Sequence, residues 1–72
     1  MNNILETVTL IYKNKMNRLY EEHQQKLNDI FIVYGDNEKE YIRQYIKEVD
    51  RYIKECNDLR SEFIIDSINA SV

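Results

Sequence analysis

Reactive side chains are scarce in this sequence, and their spacing limits what they could do. The single histidine, His23, could carry a proton or change charge near neutral pH. No serine, cysteine or second histidine stands at a useful spacing from it, so it reads as a packed or boundary residue. The single cysteine, Cys56, falls on an apolar seam, where its thiol would be buried, protonated and inert. One cysteine cannot form an intrachain disulfide, and one histidine gives no zinc spacing. The sequence also has no glycine-rich phosphate loop and no nucleophile with an attendant base. These absences argue against conventional enzyme chemistry, and no cofactor or metal is expected.

Charge patterning offers two rows of interest. Lys39, Arg43, Lys47 and Arg51 are four apart and are expected to form a stripe on the outer face of a helix, where they could dock an acidic or phosphorylated protein. Glu40 and Asp50 dilute that stripe toward an ordinary solvated face. Glu48, Glu55 and Glu62 stand seven apart beside an apolar seam, as expected of flanking salt bridges to a neighbouring helix. The net charge is −3, and residues 35 to 72 supply all of the acidic excess. Nucleic-acid binding needs clustered Lys and Arg to displace phosphate counterions, so this balance argues against it. It also argues against a stacking platform built from the six tyrosines.

The elements that must position these residues are two helices. There is no proline, and the one glycine, Gly35, lies near the middle. Upstream, Leu5, Val8, Tyr12, Met16, Leu19, His23, Leu27, Ile30 and Tyr34 are spaced 3,4,4,3,4,4,3,4, an eleven-residue period whose helical face runs almost straight or drifts to the right-handed side. Downstream, Ile42, Tyr45, Val49, Tyr52, Cys56, Leu59 and Phe63 are spaced 3,4,3,4,3,4, which reads as a heptad seam widened by Ile46 and Ile53. Within that seam Tyr45-Ile46-Lys47-Glu48 returns as Tyr52-Ile53-Lys54-Glu55, one heptad repeated. Gly35 suits a left-handed helix C-terminus, and Asn37 can cap the next helix with Glu40 as its capping-box partner.

The expected fold is therefore all-α: one antiparallel two-helix hairpin over residues 1–72, with a helix over about 4–34, a turn at about 35–37 and a helix over about 38–68. Folding about Gly35 would bring Lys15 toward Glu55 and Lys26 toward the turn of Gln44 to Glu48. Ile64, Ile65 and Ile68 leave the heptad register, as a stutter, a frayed tail or a contact with another subunit would require. Two helices cannot enclose both apolar faces. Ile11, Tyr20, Phe31, Ile46, Ile53, Ile64 and Ile68 are therefore expected to form a dimer or partner interface, and a homodimeric four-helix bundle would cover them. The run Ile30-Phe31-Ile32-Val33-Tyr34 falls far short of the ~20 residues of a membrane span. The unpaired cysteine and the absence of a signal-peptide pattern point to a cytoplasmic protein.

Around Glu48-Val49-Asp50, followed by Arg51 and Ile53, the chain resembles the short helical-hairpin phosphatases that act on the sporulation response regulator of spore-forming bacteria. The resemblance covers roughly residues 20 to 58, from Leu27-Asn28-Asp29-Ile30 through the Tyr34-Gly35 turn to the acidic motif. That family carries a Ser-Gln-Glu-Leu-Asp signature, and here Ile46-Lys47 stand where its Ser-Gln pair would be. The resemblance implies that Asp50 and Glu48 take the places of the motif acids in hydrolysing an aspartyl phosphate on a partner protein. The residues by themselves favour a non-enzymatic regulatory or inhibitory protein that acts through helix-mediated contact with a protein partner. A structural subunit of a larger helical assembly is the remaining alternative. The Asn, Ile, Lys and Tyr content suits a bacterial or phage regulator from an AT-rich genome.

Overall fold

The computed structural model describes residues 3–71. Met1, Asn2 and Val72 lie outside the described residues, including the ends of the expected 1–72 hairpin. Two helices, α1 (Asn3–Tyr34) and α2 (Glu38–Ser71), pack side by side as a hairpin measuring 54 × 16 × 9 Å between Cα atoms. Residues 64–71 continue α2 as regular helix. The β-branched residues Ile32 and Val33 are helical, and no strand occurs among the described residues.

The turn works differently from the sequence expectation. Gly35 has no positive φ; its N–H donates to the Phe31 carbonyl at 2.9 Å, continuing the helical pattern. Glycine is needed there because a Cβ would run into that same carbonyl oxygen. The Asn37 N–H donates to the Tyr34 carbonyl, and the Asn37 side-chain oxygen accepts from the Glu40 N–H at 3.2 Å, which caps α2. Only this half of the capping box forms. The Glu40 carboxylate is held instead by Gln44 at 2.9 Å and Arg43 at 3.2 Å, one turn further along.

On α1 the side turned to α2 is the stripe read from the sequence, every member of which is buried or half-buried. On α2 the expected heptad fails at its start, because Ile42 and Tyr45 are exposed while Tyr41, Gln44 and Glu48 turn inward. The inward positions, Tyr41, Gln44, Glu48, Tyr52, Cys56, Leu59, Phe63, Ser67 and Ala70, are spaced 3,4,4,4,3,4,4,3. Tyr41, Tyr52 and Phe63 stand eleven apart, the same period as on α1, so the two contact stripes keep pace with each other along the hairpin. A heptad would rotate away from such a partner by about 20° per repeat.

Aromatic stacking fixes the register of the pair. Tyr12 stacks on Phe63 with centroids 4.4 Å apart, and His23 stacks on Tyr52 at 4.0 Å, nearly parallel. The pivot thus lies beyond Gly35, and Lys15 meets Glu62 at 2.8 Å rather than Glu55. The core between the helices is thin. Leu19 is the one hydrophobic side chain among the described residues that is buried outright, and the other two buried residues are His23 and Glu48.

Candidate functional site

Successive helical residues turn by about 100°, so the flanks of each contact stripe lie on the two broad faces of the flat hairpin. Interhelical contacts show which flanks share a face. Lys15 with Glu62 and Arg51 with Glu22 join one pair of flanks, and Phe31 against Tyr41, which in turn touches Tyr45, joins the other. The hairpin consequently has one charged face and one apolar face.

The charged face centres on Glu48, which is only 6% exposed. Its carboxylate accepts from Arg51 Nε at 2.7 Å, from Arg51 Nη2 at 2.8 Å and from His23 Nδ1 at 2.7 Å. The bidentate Arg51 contact is the largest influence holding the Glu48 carboxyl below the usual carboxylate range; burial opposes it and the His23 hydrogen bond adds to it. Reciprocally, the Glu48 hydrogen bond raises the Arg51 pKa against the effect of burial, with Glu55 and Glu22 contributing. Arg51 Nη1 reaches Glu55 at 3.2 Å and Glu22 at 3.4 Å, so one guanidinium ties three carboxylates on two helices.

This arrangement organises structure and leaves little free for catalysis. A carboxylate orienting an imidazole is the device by which hydrolases position a base. Here, however, Tyr52 lies flat on the His23 ring, and the Glu48 oxygens are occupied by donors. The Tyr52 phenol is shifted upward, chiefly by burial and then by its hydrogen bond with Cys56. Among the described residues no group of three or more His, Cys, Asp or Glu could hold a metal ion.

The acids and bases singled out in the sequence are dispersed by the fold. Glu48 is buried rather than at the edge of the core, whereas Asp50 is exposed and has no ion pair or hydrogen bond among the described residues. The basic row does not stay on the outer face. Each four-residue step advances about 40° beyond a full turn, so the row slides round the helix until Arg51 enters the charged cluster. Arg43 pairs with Glu40, and Lys39 and Lys47 remain outward and exposed. Lys47 lines a shallow groove with Lys26, Asp29, Ile30, Gln44, Glu48 and Arg51. Of the acidic row, Glu62 bridges to α1 through Lys15, Glu48 does so through His23, and Glu55 pairs within α2. Cys56 is half-buried beside Tyr52 rather than enclosed.

The apolar face carries Tyr20 and Phe31 of α1 and Ile42, Tyr45, Ile46, Ile53 and Ile64 of α2, all exposed, with Val49 and Cys56 half-buried between them. The seven residues assigned to an interface are thus all exposed but do not share one face. Ile11 lies on the charged side, lining a groove with Lys15 and Glu62, and Ile68 lies on the back of α2 by its helical position. Ile32 and Val33 project near the turn and are among the most exposed apolar side chains, at 70% and 68%. The interhelical role of Arg51 was missed from the sequence, although Glu48 and Glu55 at three residues before it and four after are the spacings that pair charges along a helix. No helix among the described residues is long and apolar enough to cross a membrane. No protein-family model matches the chain, and neither a curated protein nor a solved structure matches it.

Proposed function

We propose that this protein is a small non-enzymatic regulator or inhibitor that self-associates through the apolar face of its hairpin and acts by helix-mediated contact with a protein partner. The observation that carries this reading is the imbalance of burial. A compact chain of 8.8 kDa would expose ~4,800 Å², whereas this one exposes 5742 Å². Nine of the fourteen exposed large apolar side chains among its described residues lie on one face or at the tip around Ile32 and Val33. A chain with so little core of its own gains stability from association, and the excess is comparable to the ~800 Å² that each partner contributes to a stable interface.

Sedimentation of the natural chain and of Ile46→Asp tests the reading. The natural chain is expected to be a dimer at micromolar concentration, and Ile46→Asp is expected to dissociate it. A stable, fully helical monomer in both cases overturns self-association. For the partner, a photo-crosslinking residue at position 32 should capture one discrete protein in the native cell, and indiscriminate or absent labelling would remove the tip as the contact.

The phosphatase alternative has one observation in its favour, the exposed and unpaired Asp50. The second acid of the motif, Glu48, is committed to Arg51 and His23, so Asp50 would have to position water alone. Turnover of a response-regulator aspartyl phosphate by the natural chain, abolished in Asp50→Ala, would establish that alternative; no turnover removes it.

A further inference from the structure

Resting on the self-association proposed above, we infer that the occupant of the apolar face is a second copy of this chain bound antiparallel, with Arg43 of each copy paired to Asp50 of the other. The seam that α2 presents on the apolar face is Ile42, Ile46, Val49, Ile53 and Cys56, spaced 4,3,4,3, with Val49 and Cys56 half-buried. That is the heptad spacing of a two-helix contact, and it shares only Cys56 with the eleven-residue stripe used inside the hairpin. Its inner flank, Tyr45 and Tyr52, leans toward α1. Its outer flank holds Arg43 and Asp50, opposite charges one heptad apart and both exposed or solvent-facing.

Antiparallel helices bring like flanks together, so a two-fold axis between Lys47 and Glu48 sets Ile46 against Val49 and Ile42 against Ile53 of the other copy. The same axis places Arg43 beside Asp50 on both sides. Sliding the second copy by one heptad would set Asp50 against Asp50 and Ile42 against Arg60. The charges therefore select both direction and register. Contacts on α1 agree with this placement. The pairs His23–Tyr52, Arg51–Glu22 and Phe31–Tyr41 put the axis level with α1 near Lys26. Tyr20 and Phe31 lie nearly equally to either side of that level, so Tyr20 of one copy covers Phe31 of the other. Among the described residues Arg43 is bound only to Glu40, at 3.2 Å and with most of its side chain exposed, which leaves its other nitrogens able to take a carboxylate.

A charge-swap cycle read by sedimentation equilibrium tests the assignment. Arg43→Asp and Asp50→Arg are each expected to weaken the dimer about ten-fold, because each converts two symmetry-related attractions into repulsions. Arg43→Asp combined with Asp50→Arg should return affinity close to that of the natural chain. Both sites are exposed, so helicity should be retained throughout. A double variant as weak as the two losses combined overturns the register. The natural cysteine gives a second readout that needs no variant. In the antiparallel pair the two Cys56 residues lie ~25 Å apart along the axis, beyond the ~7 Å between Cα atoms that a disulfide tolerates. Mild oxidation should therefore leave the dimer uncrosslinked, and rapid disulfide linkage would overturn the antiparallel arrangement. If the natural chain does not dimerise at all, the self-association itself fails, an outcome distinct from loss of charge-swap rescue in a chain that still dimerises.

Discussion

The two broad faces of this hairpin are made from the same two helices, yet they handle their side chains in opposite ways. On the charged face every strong polar group near the centre has an internal partner: Glu48 takes both Arg51 and His23, and Arg51 also holds Glu22 and Glu55. On the apolar face Ile42, Ile46 and Ile53 leave about half of their surface exposed. The charged face therefore joins the aromatic stacks in fixing which residues of α1 meet which residues of α2, while much of the stabilisation remains to be gained from outside. Buried ion pairs seldom add much net stability, but breaking one is costly, so such a cluster suits the setting of register better than the supply of energy.

The sharpest way to break this contrast is to remove the acceptor at the centre of the charged face. Glu48→Ala leaves Arg51 and His23 without their shared carboxylate and is expected to cost ~3–5 kcal/mol. That is enough to unfold so small a hairpin, seen as loss of helical circular dichroism. Ile53→Ala on the opposite face should leave the isolated hairpin folded and act only on dimer affinity. If the two variants lower the urea midpoint of a monomeric form equally, the division of roles between the faces is wrong. Leu19→Ala, at the one enclosed apolar position among the described residues, should follow at ~2–3 kcal/mol, with the loss independent of protein concentration.

Acid sharpens the same comparison. The folded Glu48 carboxyl is held below the 4.5 of the unfolded chain. Its contribution is therefore fully present above that value and is lost as pH falls through the folded pKa. Thermal stability of the natural chain should fall as pH drops below about 4.5, and Glu48→Gln should flatten that decline while lowering stability at neutral pH. Ile46→Ala should lower stability and leave the acid profile parallel. An unchanged acid limb in Glu48→Gln would place the pH sensitivity elsewhere.

How far this could be read from the sequence differs between the helices for a physical reason. On α1 the apolar residues and the contact stripe coincide, so periodicity located the inward positions from Leu5 to Tyr34 except Thr9. On α2 two apolar patterns overlap, and the more regular heptad starts on the outward face at Ile42 and Tyr45 before it joins the inward stripe at Tyr52, Cys56, Leu59 and Phe63. The true inward stripe passes through Gln44 and Glu48, which a hydrophobic pattern scores as surface. Its trace was the eleven-residue interval from Tyr41 to Tyr52 to Phe63, matching α1. His23 could be placed opposite Glu48 from the hairpin alone, but the Arg51 contacts that complete the Glu48 carboxylate became visible only with three dimensions.

The smallest expected effect tests the register far from the cluster. Lys15 and Glu62 are bonded at 2.8 Å with about half of each side chain exposed, 45% and 51%. Such a pair is worth at most ~0.5 kcal/mol and less in high salt. Lys15→Glu and Glu62→Lys should each destabilise slightly at low ionic strength, and the exchanged pair should recover that loss. Lys15→Glu combined with Glu55→Lys should not recover it, because Glu55 faces Arg51 about two helical turns away. Recovery with position 55 instead of 62 would mean that the helices slide past one another, and the separation into a charged face and an apolar face would then no longer follow from the aromatic stacks that set it.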